Sequence, residues 1–162
     1  MQNHFFMNFL NFILLSFGFL FLANCKAPQG SITSEISINE GIAGRVLWRE
    51  GNFMPTIDGG DQGKSIGISR EILIFELTNI SQVTQRDEFF TDIKSRLIKS
   101  VTSNLDGIFE VAIEPGTYSV FTKEEGGLFA NIYDGENNIF PVTVDSGKVT
   151  GVTIVIDYKA AY

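Results

Sequence analysis

The side chains best suited to chemistry are few, and the most versatile of them stand outside the folded part of the chain. His4 is the only histidine among 162 residues and Cys25 the only cysteine. A Ser-His-Asp triad, a Cys-His pair and a histidine-ligated zinc centre each need an imidazole inside the domain. His4 belongs to an apolar amino-terminal run, so the remainder has none and those chemistries are excluded. Carboxylates are left. Glycoside hydrolysis needs an acid and a base facing each other across a cleft, whereas most Asp and Glu residues here stand in turns of one small domain. Two loops gather oxygen ligands of the kind calcium takes: Asp58, Asp61 and Gln62 in one, Asp134, Glu136 and Asn137 in the other. Neither has the spacing of an EF-hand, and Asp-Gly is first of all a turn former, so a metal reading and a plain turn reading both stand. Trp48, Phe129, Tyr133 and Phe140 pose a similar choice. They either fill a core or expose a ligand platform, with Trp48 and Tyr133 as its stacking residues. No motif implies a cofactor.

The residues around Cys25 concern delivery. From Phe9 to Ala23 almost every residue is apolar, and the run stops at Leu22-Ala23-Asn24-Cys25. Its length and its small-residue end read as a secretory signal peptide over residues 1–24. A cysteine in that place resembles a bacterial lipoprotein box, which implies that the Cys25 thiol carries diacylglycerol and that the leader is cut before it. Plain secretion and an uncleaved membrane helix are the alternatives. Lys26 follows Cys25, where the same resemblance would put Asp for inner-membrane retention, so the expected address is the bacterial cell envelope, at the outer membrane. Residues 25–40, rich in Pro, Gly and hydroxyl side chains, read as a tether.

Residues 41–162 then form one domain of ordinary size. Every charged residue lies after the leader, so the net charge of −7 belongs to the mature part. Such a surface is a poor match for nucleic acid. Alternation and turn punctuation predict strands at Ile42 to Trp48, Ile68 to Thr78, Ile93 to Thr102, Leu128 to Tyr133, Asn138 to Val144 and Val149 to Tyr158. The run Ile72 to Leu77 is apolar at nearly every position, which suits a strand buried on both sides. Gly51 to Gly67 reads as a loop. The stretch from Asn79 to Asp92 fits either a short helix starting near Asp87 and Glu88 or a loop whose two phenylalanines plug the sandwich. At the centre, a polar turn ending in Asp106-Gly107 leads into a strand from Ile108 to Ile113, which Glu114-Pro115-Gly116 reverses into a second strand, Thr117 to Lys123, returning beside the first. The expected fold is all-β: a single antiparallel β-sandwich of seven or eight strands.

Asp106-Gly107-x-Phe109, Pro115-Gly116-Thr117-Tyr118 and Gly44-Arg45-Val46 resemble the carboxypeptidase regulatory-like domains of bacterial envelope proteins, a transthyretin-like (prealbumin-like) group of β-sandwiches. The resemblance spans about residues 40–162. It implies a domain that is not itself a catalyst. The expectation is therefore a non-catalytic, membrane-anchored lipoprotein acting as an interaction or structural module, with a protein of the envelope as partner. The alternative is a carbohydrate-binding module that uses the loop aromatics and carboxylates.

Overall fold

The computed structural model describes residues 36–55 and 63–162, which belong to one compact unit running from Ser34 to Tyr162. Residues 1–24, expected as a leader, Cys25 and the loop residues Asp58, Asp61 and Gln62 lie outside the described residues. Eleven strands follow in order: β1 Gly41–Asn52, β2 Lys64–Gly67, β3 Glu71–Glu76, β4 Thr84–Arg86, β5 Phe89–Thr91, β6 Leu97–Thr102, β7 Ile108–Ala112, β8 Gly116–Glu124, β9 Gly127–Phe129, β10 Pro141–Val144 and β11 Val149–Ala161. They form two sheets. In the smaller, β1 is central, with β11 on one edge and β2 and β7 sharing the other. The larger runs β4-β5-β9-β8-β3-β6, with β10 also paired to β8. The all-β sandwich expected from the sequence is what forms. Its count exceeds seven or eight because short strands arise in segments read as loops.

One pairing is parallel. β1 and β11 run side by side from Gly41↔Val149 to Asn52↔Ala161, with a register shift between Trp48 and Glu50. Parallel neighbours need a long connection, and here nearly the whole domain is the connection. β1 buries Ile42 and Val46, and β11 buries Ile154 and Ile156. These residues occupy the alternating positions that the sequence marks as core-facing.

Ser103 to Phe121 departs from expectation. β7 and β8 do not pair: β7 joins β1 in the small sheet, and β8 joins β3, β9 and β10 in the large one. Glu114-Pro115-Gly116 is therefore a crossover between sheets and not a hairpin turn. Proline and glycine reverse a chain in either case, and only the partners available to each edge decide which. The Tyr118 hydroxyl donates to the Glu114 carbonyl at 2.9 Å and pins the corner. The preceding turn behaves as its residues dictate. Asn104 Oδ1 accepts from the amides of Asp106 and Ile108, and Gly107 takes φ of +82°. A Cβ at Gly107 would fall 2.1 Å from the Val46 carbonyl oxygen, so only glycine brings this turn against β1.

β3 shows why the apolar run at 72–77 is so continuous. Cross-strand register puts Ile72, Thr122, Phe129 and Phe89 on one face of the large sheet, where Phe129 and Phe89 meet Tyr158 of β11. Leu73, Phe75 and Phe121 point to the other face, and there Phe121 packs edge-on against both Phe75 and Phe90. That face is covered in turn, because the Thr78 amide donates to Ser119 Oγ beneath it. Burial on both sides thus holds from Ile72 to Phe75, whereas Leu77, past the end of β3, is exposed. The stretch read as helix or plugging loop is neither. It begins with a 3-10 turn at Ile80–Gln82 closed by a capping box on Asn79, and continues as the β4–β5 hairpin. Asp87, at φ of +51°, belongs to the hairpin tip. Adjacent Phe89 and Phe90 face opposite ways, which a strand period allows and a helical stripe does not.

Candidate functional site

Trp48 leads to the most strongly built cluster of polar groups, which lies where β1, β8 and β11 converge. Its indole N–H donates to Glu50 Oε2 at 3.0 Å, and its ring meets Tyr158 edge-on with centroids 5.2 Å apart. Arg70 and Lys159 both lie over the ring, at 5.9 and 5.7 Å from its centroid. Arg70 Nε also donates to both oxygens of Glu124, at 3.2 and 3.3 Å, and the Tyr158 hydroxyl donates to Glu124 Oε2 at 3.1 Å. The Glu124 side chain is 2% exposed and that of Arg70 35%. A carboxylate so enclosed persists because a cation and a hydroxyl hold it.

Burial pushes the Tyr158 hydroxyl up to about 12, and the negative charge of Glu124 together with their hydrogen bond adds to the effect. The phenol is therefore a donor that keeps its proton. Trp48 is covered by cations and by Tyr158, so its ring is an element of this cluster rather than a bare stacking surface. Phe129 and Phe140 are core residues. Tyr133 is 43% exposed, and Trp48 and Tyr133 do not pack against one another.

The second loop of oxygen ligands is occupied by its own chain. Asp134 Oδ1 accepts from the amides of Glu136 and Asn138, and Oδ2 accepts from Asn138 Nδ2 at 2.8 Å. The Asn138 side-chain and backbone bonds hold the Asp134 carboxyl below the usual carboxylate range. The Glu136 carbonyl accepts from Asn79 Nδ2, which ties this turn to the 3-10 turn. A cation at Asp134 would have to displace N–H donors already aimed at the carboxylate. Among the described residues no group of three or more His, Cys, Asp or Glu side chains stands ready to hold a metal.

A groove of about 910 Å³ runs along the seam where the β6 edge of one sheet faces the β7 edge of the other. Tyr118 and Ile113 line it, with Ser37 to Glu40 and Arg96 to Lys99 on its flanks. Its charges are largely engaged: Arg96 pairs with Glu76 at 2.7 Å, and Lys99 Nζ donates to the Ala112 carbonyl on β7. Ser37 donates its amide and its hydroxyl to Glu110 of β7, and these bonds hold the Glu110 carboxyl below its ordinary value. Gly147 N–H donates to Glu40. The start of the domain is in this way fastened at the end of the sandwich where β1 begins.

Sequence reasoning missed Arg70, Glu124 and Tyr158 as a unit. Signals existed for two of them, since Val120, Thr122 and Glu124 share the inward face of β8 and Tyr158 continues the alternation of Val152, Ile154 and Ile156 on β11. No signal marks the groove, which depends on which strand edges stay unpaired. No protein-family model matches the chain, and no curated protein or solved structure matches it.

Proposed function

We propose that the chain is a non-catalytic module of the bacterial cell envelope, anchored through a lipidated Cys25 at the outer membrane and acting there as a structural or interaction element. The observation that carries the non-catalytic half is the state of the buried carboxylate. Glu124 is bound by Arg70 and by a tyrosine that keeps its proton, so this enclosed acid is engaged as a fastening within the fold. The anchoring half rests on the apolar run that ends at Cys25. Several acyl chains, at about 0.8 kcal/mol per buried methylene, make such attachment effectively permanent.

Mass spectrometry of the protein extracted from its native membrane tests the anchor. The expected species begins at Cys25 and carries the added mass of the acyl chains, and Cys25→Ser abolishes that mass. An unmodified Cys25 thiol behind an intact leader overturns the reading. The carbohydrate-binding alternative is tested by a glycan array: retention lost in both Tyr133→Ala and Trp48→Ala would replace the structural reading with that one.

A further inference from the structure

The parallel pairing of β1 and β11 has a mechanical meaning. The chain reaches β1 at Gly41, beside Val149, and leaves β11 at Ala161, beside Asn52. At about 3.3 Å per residue these two points lie about 40 Å apart, at opposite ends of one ladder. Tension applied between them pulls β1 and β11 in opposite directions along their own axes. From Gly41 to Trp48, before the register shift, the evenly spaced bonds of a parallel pair then share the load.

We propose that the β1–β11 ladder is a mechanical clamp, which resists tension applied between the start of β1 and the end of β11. The surroundings of the ladder suit that task. β1 is held on its other edge by β7 from Gly41 to Arg45 and by β2 from Leu47 to Glu50, so it cannot slide without breaking both edges. β11 is keyed into the core by Ile154 and Ile156, and tied beyond the ladder by Tyr158 to Glu124, Asn131 to Asp157 and Thr150 to Thr143. The Phe53 amide donates to the Ala161 carbonyl at 2.8 Å and closes the far end. The direction of the load in the cell rests on the anchoring proposed above, whereas the clamp is a property of the fold.

Single-molecule pulling tests it without disturbing the ladder. The full chain, carrying Cys25→Ser and held by a tag before Met1, is pulled in one case from a thiol placed after Tyr162 and in the other from Ser146→Cys. Ser146 lies in the exposed turn before β11, at the end of the ladder where β1 begins, so the second geometry peels β1 away pair by pair. Forced unfolding reports the barrier along the pulled direction. The expected result is a rupture force several-fold higher from the carboxyl end than from residue 146 at the same loading rate. Equal forces in the two geometries overturn the clamp. An unlipidated Cys25 in the mass spectrum would instead remove the anchor and leave the force ratio as measured.

Discussion

Glu124 shows how one side chain can look like a site and be a fastening. Its carboxylate is almost wholly enclosed, and its partners are a guanidinium that water reaches and a phenol that does not titrate near neutrality. Removing a partner from such a pair costs more than the pair contributes, because the remaining charge is stranded. Arg70→Ala is therefore expected to lower stability by about 3 kcal/mol, at the low end for buried pairs because Arg70 is partly exposed. Replacing Arg70 and Glu124 together by apolar residues of similar size should recover most of that loss. Denaturant melts of the single and double variants check both. Arg70 and Tyr158 are far apart in sequence, so no spacing rule links either to Glu124; the inward parities of Glu124 on β8 and of Tyr158 on β11 were the legible hints.

At the scale of elements, the contact between β1 and β11 is sharply position-dependent. A Cβ at Gly44 would fall 2.0 Å from the Val152 carbonyl oxygen, a backbone atom that cannot swing aside, whereas a Cβ at Gly151 meets nothing within 4 Å. Gly44→Ala is expected to cost about 1–3 kcal/mol by overpacking the ladder, and Gly151→Ala to stay within about 0.5 kcal/mol of the parent. Thermal unfolding of the two variants measures the contrast. Periodicity located β11 and the inner face of β1 correctly, because a half-buried strand writes its alternation into the sequence. It misassigned the Pro115-Gly116 corner, since turn residues specify that a chain reverses and not which sheet receives it. It also missed the β4–β5 hairpin, whose strands are too short to show a period. The Asp134 turn was legible as turn chemistry, and its partnership with Asn79 was not, being a tertiary contact.

For the whole molecule, five groups among the described residues are displaced from their ordinary values, two carboxyls downward and three phenols upward. Glu110 and Asp134 are held below their ordinary values, so the stability they confer is present above about 4.5 and 3.8 and is lost as pH falls through their lower folded values. Tyr158, Tyr133 and Tyr118 are raised by burial, and for Tyr118 also by the charges of Glu114 and Glu40. Their contribution is complete below 10.0, and that of Tyr158 is lost as pH rises toward about 12. The only imidazole and the only thiol precede residue 36. Unfolding free energy measured from pH 3 to 12 should accordingly show a broad plateau with falling limbs at both ends, and Tyr158→Phe should flatten the alkaline limb. A step centred near pH 6.5 would contradict this.

The adjacency of Gly41 and Val149 also governs when the domain can form. The small sheet cannot complete itself while its last strand is still being made, because the first strand has no neighbour on that edge until then. Closing so long a loop late is slow. Under the export proposed above, that delay would keep the chain pliable during passage through a translocation pore, with the ladder locking only after the final strand has come through.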